Sequence, residues 1–177
     1  VPHRATLAVS GGGYRVVPEA ILEALGDSHS RGQGPTGLTV IAVAMIERSS
    51  GGKGGGGTGL NRLVNNGQTQ RLITGSFSRS PASELSEAIA TNALEAYNFP
   101  MGTIVQWLRA IGAGRPGLIT QVGLDTFVDP RQEGGRANSA AQEPLNRLVT
   151  IEGEEYLFYP TQRVDVGLIK GSKADER

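Results

Sequence analysis

A chain of 177 residues, 38% hydrophobic and 19% charged, is long enough for one domain with a real core. Lys plus Arg and Asp plus Glu each number 17, so the net charge is zero and the basic excess of a nucleic-acid binder is missing. Cysteine is absent, which excludes disulfides, zinc thiolates and thiolate nucleophiles, and two histidines, His3 and His29, give no basis for a histidine triad or a metal site.

No apolar run approaches the roughly 20 residues of a membrane helix, and no secretory leader pattern is visible. The expectation is therefore a cytoplasmic protein with neither a membrane nor a nucleic acid as partner. Glycine is the outlier: its 26 residues are about twice the usual share of roughly 7%. They cluster between apolar segments, which predicts many tight strand–helix turns, and ligands bind at such turns.

In chain order, Ala5–Val9 reads as a buried strand, followed by the turn Ser10-Gly11-Gly12-Gly13. Pro18–Leu25 reads as a helix with Pro at its first position and Gly26 as its stop. Leu38–Ala44 is a strong buried strand, and Gly51–Gly57 is a flexible loop. Leu60–Val64 opens a short helix that stops near Gly67, and Gln70–Thr74 is a strand ended by Gly75. Ser80 caps a helix with Pro81 just inside it and Leu85, Ile89 and Ala93 on one face.

Leu94–Asn98 is the next strand, and Thr103–Ile111 is a helix whose Ile104, Trp107, Leu108 and Ile111 share a side. Trp107 at that spacing reads as core. Gly114–Ala141 breaks the rhythm and reads as one long loop, a length that in a compact domain usually carries function. Arg147–Ile151 and Glu155–Tyr159 form a β-hairpin around Gly153, and Val164–Ile169 is a final strand. The alternation predicts an α/β fold: an open, mostly parallel sheet with helices on both faces and a β-hairpin near the C-terminus.

The first glycine turn has a specific chemistry. A strand, a glycine turn and a helix start expose backbone N–H groups with no internal partner, which suits a phosphate or an oxyanion. The spacing fits neither G-x-G-x-x-G nor a P-loop. The plain alternative is a tight turn whose glycines only permit positive φ or close packing.

Several segments in collinear order resemble the α half of family I coenzyme A transferases, of the propionate and acetate/acetoacetate type. They are Ser10–Tyr14 with Pro18-Glu19-Ala20, Gly57–Arg62, Glu95–Gly102, and Gly112–Gly117. Val122–Arg131 with Glu133-Gly134-Gly135, Ile151–Tyr156, Val164–Val166 and Ala174–Arg177 complete the set. The resemblance spans essentially the whole chain and implies the CoA-transferase-like fold, as a single α-type domain over residues 1–177 that is incomplete without a β-type domain.

The resemblance also implies a reaction. A glutamate attacks an acyl-CoA, CoA moves onto it as a thioester, and an acceptor carboxylate takes the CoA. One thioester replaces another, so no cofactor beyond the coenzyme A substrate is implied, and the partners are an acyl-CoA and a small carboxylic acid. The nucleophile belongs to the β half, so no nucleophile is expected here. Glu133-Gly134-Gly135 satisfies an E-x-G string but falls in an α-half loop. Glu152, Glu154 and Glu155 fall at a predicted turn, and Asp129 reads as ordering its own turn.

What this chain would supply is the other wall of the site: Gly11, Gly12 and Gly13 as oxyanion donors, with Met101, Gly102, Thr126, Phe127, Arg131 and Arg136 toward the substrate. Many relatives carry Gln where Met101 stands; Met cannot donate, which leaves backbone N–H groups or a core-filling role. Arg131 and Arg136 suit a carboxylate or a CoA phosphate, or are simply solvated. Gly51–Gly57 reads as a flap or as a loop disordered without its β half. A missing half would leave apolar surface bare, so a homo-oligomer is a further expectation. The alternative from another class is a non-catalytic domain of the same fold that binds a ligand or a partner. A sugar-phosphate isomerase would need acid/base carboxylates or His near a phosphate loop, and no such set is found.

Overall fold

The computed structural model describes residues 1–11, 16–44, 47–48, 58–64, 67–77, 84–173 and 175. In chain order its elements are β1 (Thr6–Val9), α1 (Glu19–Ser30), β2 (Leu38–Ala42), β3 (Glu47–Arg48), β4 (Thr58–Gly59), α2 (Asn61–Val64) and β5 (Thr69–Thr74). There follow α3 (Glu84–Ala90), β6 (Glu95–Asn98), α4 (Met101–Gly112), β7 (Gly117–Thr120), β8 (Arg147–Ile151), β9 (Glu154–Pro160) and β10 (Val166–Leu168). The helix cap expected at Ser80 and Pro81, and the loop expected at Gly51–Gly57, lie outside the described residues.

Five strands form a sheet in the order β10-β1-β2-β5-β6, every neighbouring pair parallel. Side chains alternate across it, as the period of two dictates. Leu7, Val9, Leu38, Val40, Leu72 and Ala96 enter one core with Leu22 of α1, Leu63 of α2 and Leu85 of α3. Ile41, Ile73 and Tyr97 enter a second core with Ile104 and Trp107 of α4 and with Leu157 and Tyr159 of β9. The parallel sheet thus has helices on both faces, as the alternation implies.

The second face is also covered by a separate antiparallel sheet in the order β7-β9-β8. The expected hairpin is β8 against β9, closed around Gly153 with φ +87°. The expectation of an unbroken loop from Gly114 fails at its start: Gly117–Thr120 is a third strand, with Leu118 opposite Tyr159. Gly117 allows this pairing, because a Cβ there would collide with the Phe158 ring. The strand is short and begins on the glycine of the Pro116-Gly117 pair, so its apolar signal is weak.

Two helices end on a later glycine than the sequence suggests. Gly26 does not stop α1, which continues to Ser30. It closes in a Schellman motif, with the Gly32 N–H on the His29 carbonyl at 2.8 Å, the Gln33 N–H on Ser28 at 3.0 Å, and Gly32 at φ +71°. α4, expected to end at Ile111, runs to Gly112 and closes the same way on Gly114. Gly26 has another purpose. A Cβ there would sit 2.8 Å from the Arg62 carbonyl oxygen, so the glycine lets α1 and α2 approach.

Gly26→Ala therefore tests packing against propensity. Propensity alone gives a helix gain of roughly 0.5–1 kcal/mol, whereas overpacking costs about 1–3 kcal/mol. The expected outcome is a lower urea midpoint; a higher one would show that α2 yields freely.

Candidate functional site

In open parallel sheets, ligands bind beyond the carboxyl ends of the strands, where the strand order reverses. Here the order reverses at β1, which has β2 on one side and β10 on the other. Gly11 follows β1 at that point. Its turn is fastened to the end of β10: the Ser10 N–H donates to the Leu168 carbonyl at 2.8 Å, and the Lys170 N–H donates to Ser10 Oγ at 3.3 Å. Gly12 and Gly13 lie outside the described residues. Beside the turn, Val17, Ala20 and Ile21 face Ile169 and Lys170 across a cleft of about 380 Å³.

The first turn of α1 also anchors the chain that returns from the second glycine stretch. Glu19 accepts from the Gly59 N–H at 2.8 Å and from Arg62 Nε at 2.8 Å, and Arg62 reaches Glu23 at 3.3 Å. The bond to Glu19 is the main cause holding the Arg62 guanidinium protonated beyond its ordinary range.

Three positions along the same edge bring the ends of β2, β5 and β6 together. The Gly75 N–H donates to the Val43 carbonyl at 3.2 Å. A Cβ on Gly75 would lie 2.6 Å from that oxygen and would overlap Met101. In the sequence Gly75 reads only as a strand end; the contact that requires glycine is tertiary. Met101, the first residue of α4, is 49% exposed over this spot. Pro100 brings no capping side chain, and the Ile104 N–H is bonded back to Pro100 at 3.0 Å. The N–H groups of Met101 and Gly102 have no intrahelical acceptor, as at any helix start, and the space beside Gly102 is open.

The loop after β7 is fixed to this edge. The Gly135 carbonyl accepts from the Asn98 N–H at 2.7 Å, and a Cβ on Gly135 would strike the Phe99 ring. Gly135 in turn donates to the Phe127 carbonyl at 2.9 Å. Asn138, whose role the sequence does not signal, accepts from the Ala96 N–H and donates to the carbonyls of Ile89 and Leu94.

Asp129 is the hub of the loop, its side chain fully buried. Oδ1 accepts from the Arg131 N–H at 2.9 Å and Arg131 Nε at 3.0 Å; Oδ2 accepts from the Asp125 N–H at 3.0 Å and Arg131 Nη2 at 2.7 Å. These bonds, the one to the Arg131 side chain first, hold the carboxyl well below the usual carboxylate range.

The residues expected to line the substrate divide into two groups. Met101, Gly102 and Phe127 are on or fastened to the sheet edge, with Phe127 44% exposed. Thr126 sits at the turn before it, its hydroxyl donating to the Gly123 carbonyl at 2.7 Å. Arg131 faces carboxylates instead: Asp129, Glu155 at 3.0 Å and Asp125 at 3.3 Å. Arg136 donates to the carbonyls of Glu133 at 2.7 Å and Gln142 at 3.0 Å, beside an open polar cleft of about 500 Å³. Gly134 and Gly135, with φ +62° and +76°, make the E-x-G string a left-handed turn.

Comparison with known proteins fits this geometry. The family model described as "Coenzyme A transferase" matches residues 1–177. The chain belongs to the coenzyme A transferase family. It is 34% identical over 177 residues to the acetate CoA-transferase YdiF of Escherichia coli K12, covering 99% of this chain and 32% of that protein. It is 34% identical over 119 residues to the α subunit of the acetoacetyl-CoA:acetate/butyrate CoA transferase of Clostridium acetobutylicum, covering 67% of this chain and 47% of that subunit. The crystal structure of the acyl-CoA transferase YdiF of E. coli O157:H7 as a thioester complex with CoA superposes with a TM-score of 0.84 at 33% identity. That match covers 96% of this chain and 32% of the other. The chain thus spans about a third of the length of YdiF and about half of the clostridial subunit.

Within the family fold, the loop geometry makes a testable statement about Asp129. Its folded pKa is depressed, so its stabilisation is present above the unfolded value of about 3.9 and is lost as pH falls toward the folded value. In Asp129→Asn, an amide N–H₂ would face a donor on one side. The variant is expected to lose about 1.5–3 kcal/mol at pH 7, with the gap to wild type narrowing progressively as the pH falls below about 4 in urea unfolding. A gap that stays constant with pH would show that the charge is not the cause.

Proposed function

We propose that this chain is the α part of an acyl-CoA:carboxylate CoA-transferase and that a β part supplies the glutamate nucleophile. The supporting observation is the row of backbone groups along one sheet edge, at Gly11 after β1 and at the start of α4, in a chain that matches a third of an acetate CoA-transferase end to end. The substrate class is an acyl-CoA with a small carboxylic acid as acceptor, and the cytoplasm is the compartment that holds both. The β part is a second subunit or a further segment of one polypeptide.

The chemistry asks little of this chain beyond shape and donors. When the glutamate adds to the thioester carbonyl, negative charge develops on that oxygen. N–H groups aimed at it lower the barrier, and each later addition in the exchange repeats the need. Gly11, Gly12 and Gly13 supply such donors from one side, and the N–H groups of Met101 and Gly102 supply them from the other. Met101 takes the place of a side-chain donor, so this enzyme relies there on backbone groups. Thr126 and Phe127 form the acyl side of the pocket, and Arg136 faces the carboxylate or a CoA phosphate. Donor and product are both thioesters, so the exchange is near balance and needs no ATP, metal or redox group.

The test is acyl transfer from acetyl-CoA or propionyl-CoA, by the chain alone and with a β part. Turnover is expected only in the pair, with CoA trapped as a thioester on a glutamate of the β part. Gly12→Val is expected to cut paired turnover by about 100- to 1,000-fold. Turnover by the isolated chain would place the nucleophile here and overturn the division of roles. CoA binding without turnover in the pair would favour a non-catalytic binding module.

A further inference from the structure

Phe127 stands out among the exposed aromatic and aliphatic side chains because of what holds it. Val128 and Asp129, the two residues that follow it, are fully buried, yet Phe127 is 44% exposed. The loop that turns it outward is rigidly specified. Gly123, Asp125, Gly134 and Gly135 take φ of +99°, +59°, +62° and +76°. Asp125 is the one residue of these with a side chain, and left-handed backbone there persists only if the surroundings impose it. They do: its N–H is gripped by Asp129 Oδ2, the oxygen that also receives Arg131 Nη2.

The two carboxylate oxygens of Asp129 therefore join residue 125 to residue 131 across the Thr126-Phe127-Val128 turn. The Asn146 side chain holds the Val128 carbonyl at 2.8 Å, and Gly135 holds that of Phe127 at 2.9 Å. Arg131 also ties the loop to Glu155 on β9 at 3.0 Å. A buried carboxylate with four donors is a costly feature to build, and the turn it fixes here carries one exposed aromatic ring. An exposed ring on an over-determined loop, on the edge where the strands end, is a contact surface rather than a packing surface.

We propose that Arg131 acts through Asp129 as a positioning residue for Phe127, and that Phe127 limits the length of the acyl chain this enzyme accepts. This rests on the transferase reading for the identity of the substrate. Arg131 then touches no ligand, in contrast to the direct substrate contact its sequence position suggests. Lysine at 131 would keep the charge but lose the planar fork that spans both oxygens.

Two measurements decide it. The first needs only this chain. Amide exchange at Asp129 and Gly135 is expected to be at least about ten-fold faster in Arg131→Lys, while Trp107 fluorescence and the exchange of core strand amides stay unchanged. Equal rates at Asp129 and Gly135 would overturn the clamp. The second uses the pair with a β part and compares kcat/KM for butyryl-CoA and acetyl-CoA. Phe127→Ala is expected to raise the butyryl-to-acetyl ratio about ten-fold, the scale of small changes in an apolar pocket. Arg131→Lys should move the ratio the same way, and the double variant should move it no further than Phe127→Ala alone.

A purely structural role for Arg131 would lower activity equally for both substrates and leave the ratio fixed; that result, or full additivity, overturns the proposal. A wild-type pair that transfers nothing counts against the transferase reading, and the exchange rates still decide the clamp.

Discussion

A parallel sheet must be covered on both faces, and the way this chain covers its second face shapes the rest of the molecule. On the first face the solution is ordinary: α1, α2 and α3 lay their apolar stripes on Leu7, Val40 and Leu72. On the second, α4 covers only part of the surface. The remainder is covered by the antiparallel sheet and by buried points of the long loop, Val128 and Ala141 among them. A loop that serves as core wall cannot be floppy, because its backbone polar groups leave water and must find partners. Asp129, Asn138 and Asn146 meet that need, each bonding main-chain groups that would otherwise be stranded. The same bonds fasten the loop to the strand ends, so covering the sheet and fixing the loop beside those ends are one physical event.

The electrostatics follow the same economy. With a net charge of zero, the chain makes no long-range field to steer a polyanion. Its charges act in local pairs that hold backbone in place: Glu19 with Arg62, Asp129 with Arg131, Arg71 with Glu95 at 2.6 Å. Two of these three flank the sheet edge. An exposed pair would add little stability. Asp129 differs because its carboxylate is buried, so losing either partner leaves a charge or a donor without compensation.

Much of the fold is legible in the sequence because its signals are periodic. Buried parallel strands read as short apolar runs, and the face of α4 repeats at helical spacing, as Ile104, Trp107, Leu108 and Ile111 show. Gly26 misleads because a glycine in a helix can mark an end or a close contact, and only the neighbour decides. The neighbour here is the Arg62 carbonyl, 36 positions away in the chain and 2.8 Å from a Cβ on Gly26. The strand Gly117–Thr120 is too short to outweigh the glycines and prolines around it.

The partners of the arginines at the candidate site are not legible in the sequence. Whether an arginine meets a ligand or a carboxylate depends on residues such as Glu155, 24 positions from Arg131. Gly12 and Gly13 lie outside the described residues, so the glycine turn rests on Gly11 and on its ties to β10.

Those ties bear on why a transferase of the proposed kind would divide into two parts. Thioester exchange requires that an anionic nucleophile and the donors that stabilise its product charge face each other across a site closed to water. A single parallel sheet offers only one edge of strand ends, and its helix starts present N–H groups there rather than carboxylates. Placing the glutamate on the same edge would pair it with those donors in the resting state. Its pKa would fall and its reactivity with it, because donors that favour the carboxylate lower its basicity. A nucleophile carried by a facing part meets the donors only through the substrate. In the proposed division of roles, the separation would keep the N–H groups of Gly11 and of α4 free for the oxygen on which charge develops, and this chain would be a partner to the carboxylate rather than its support.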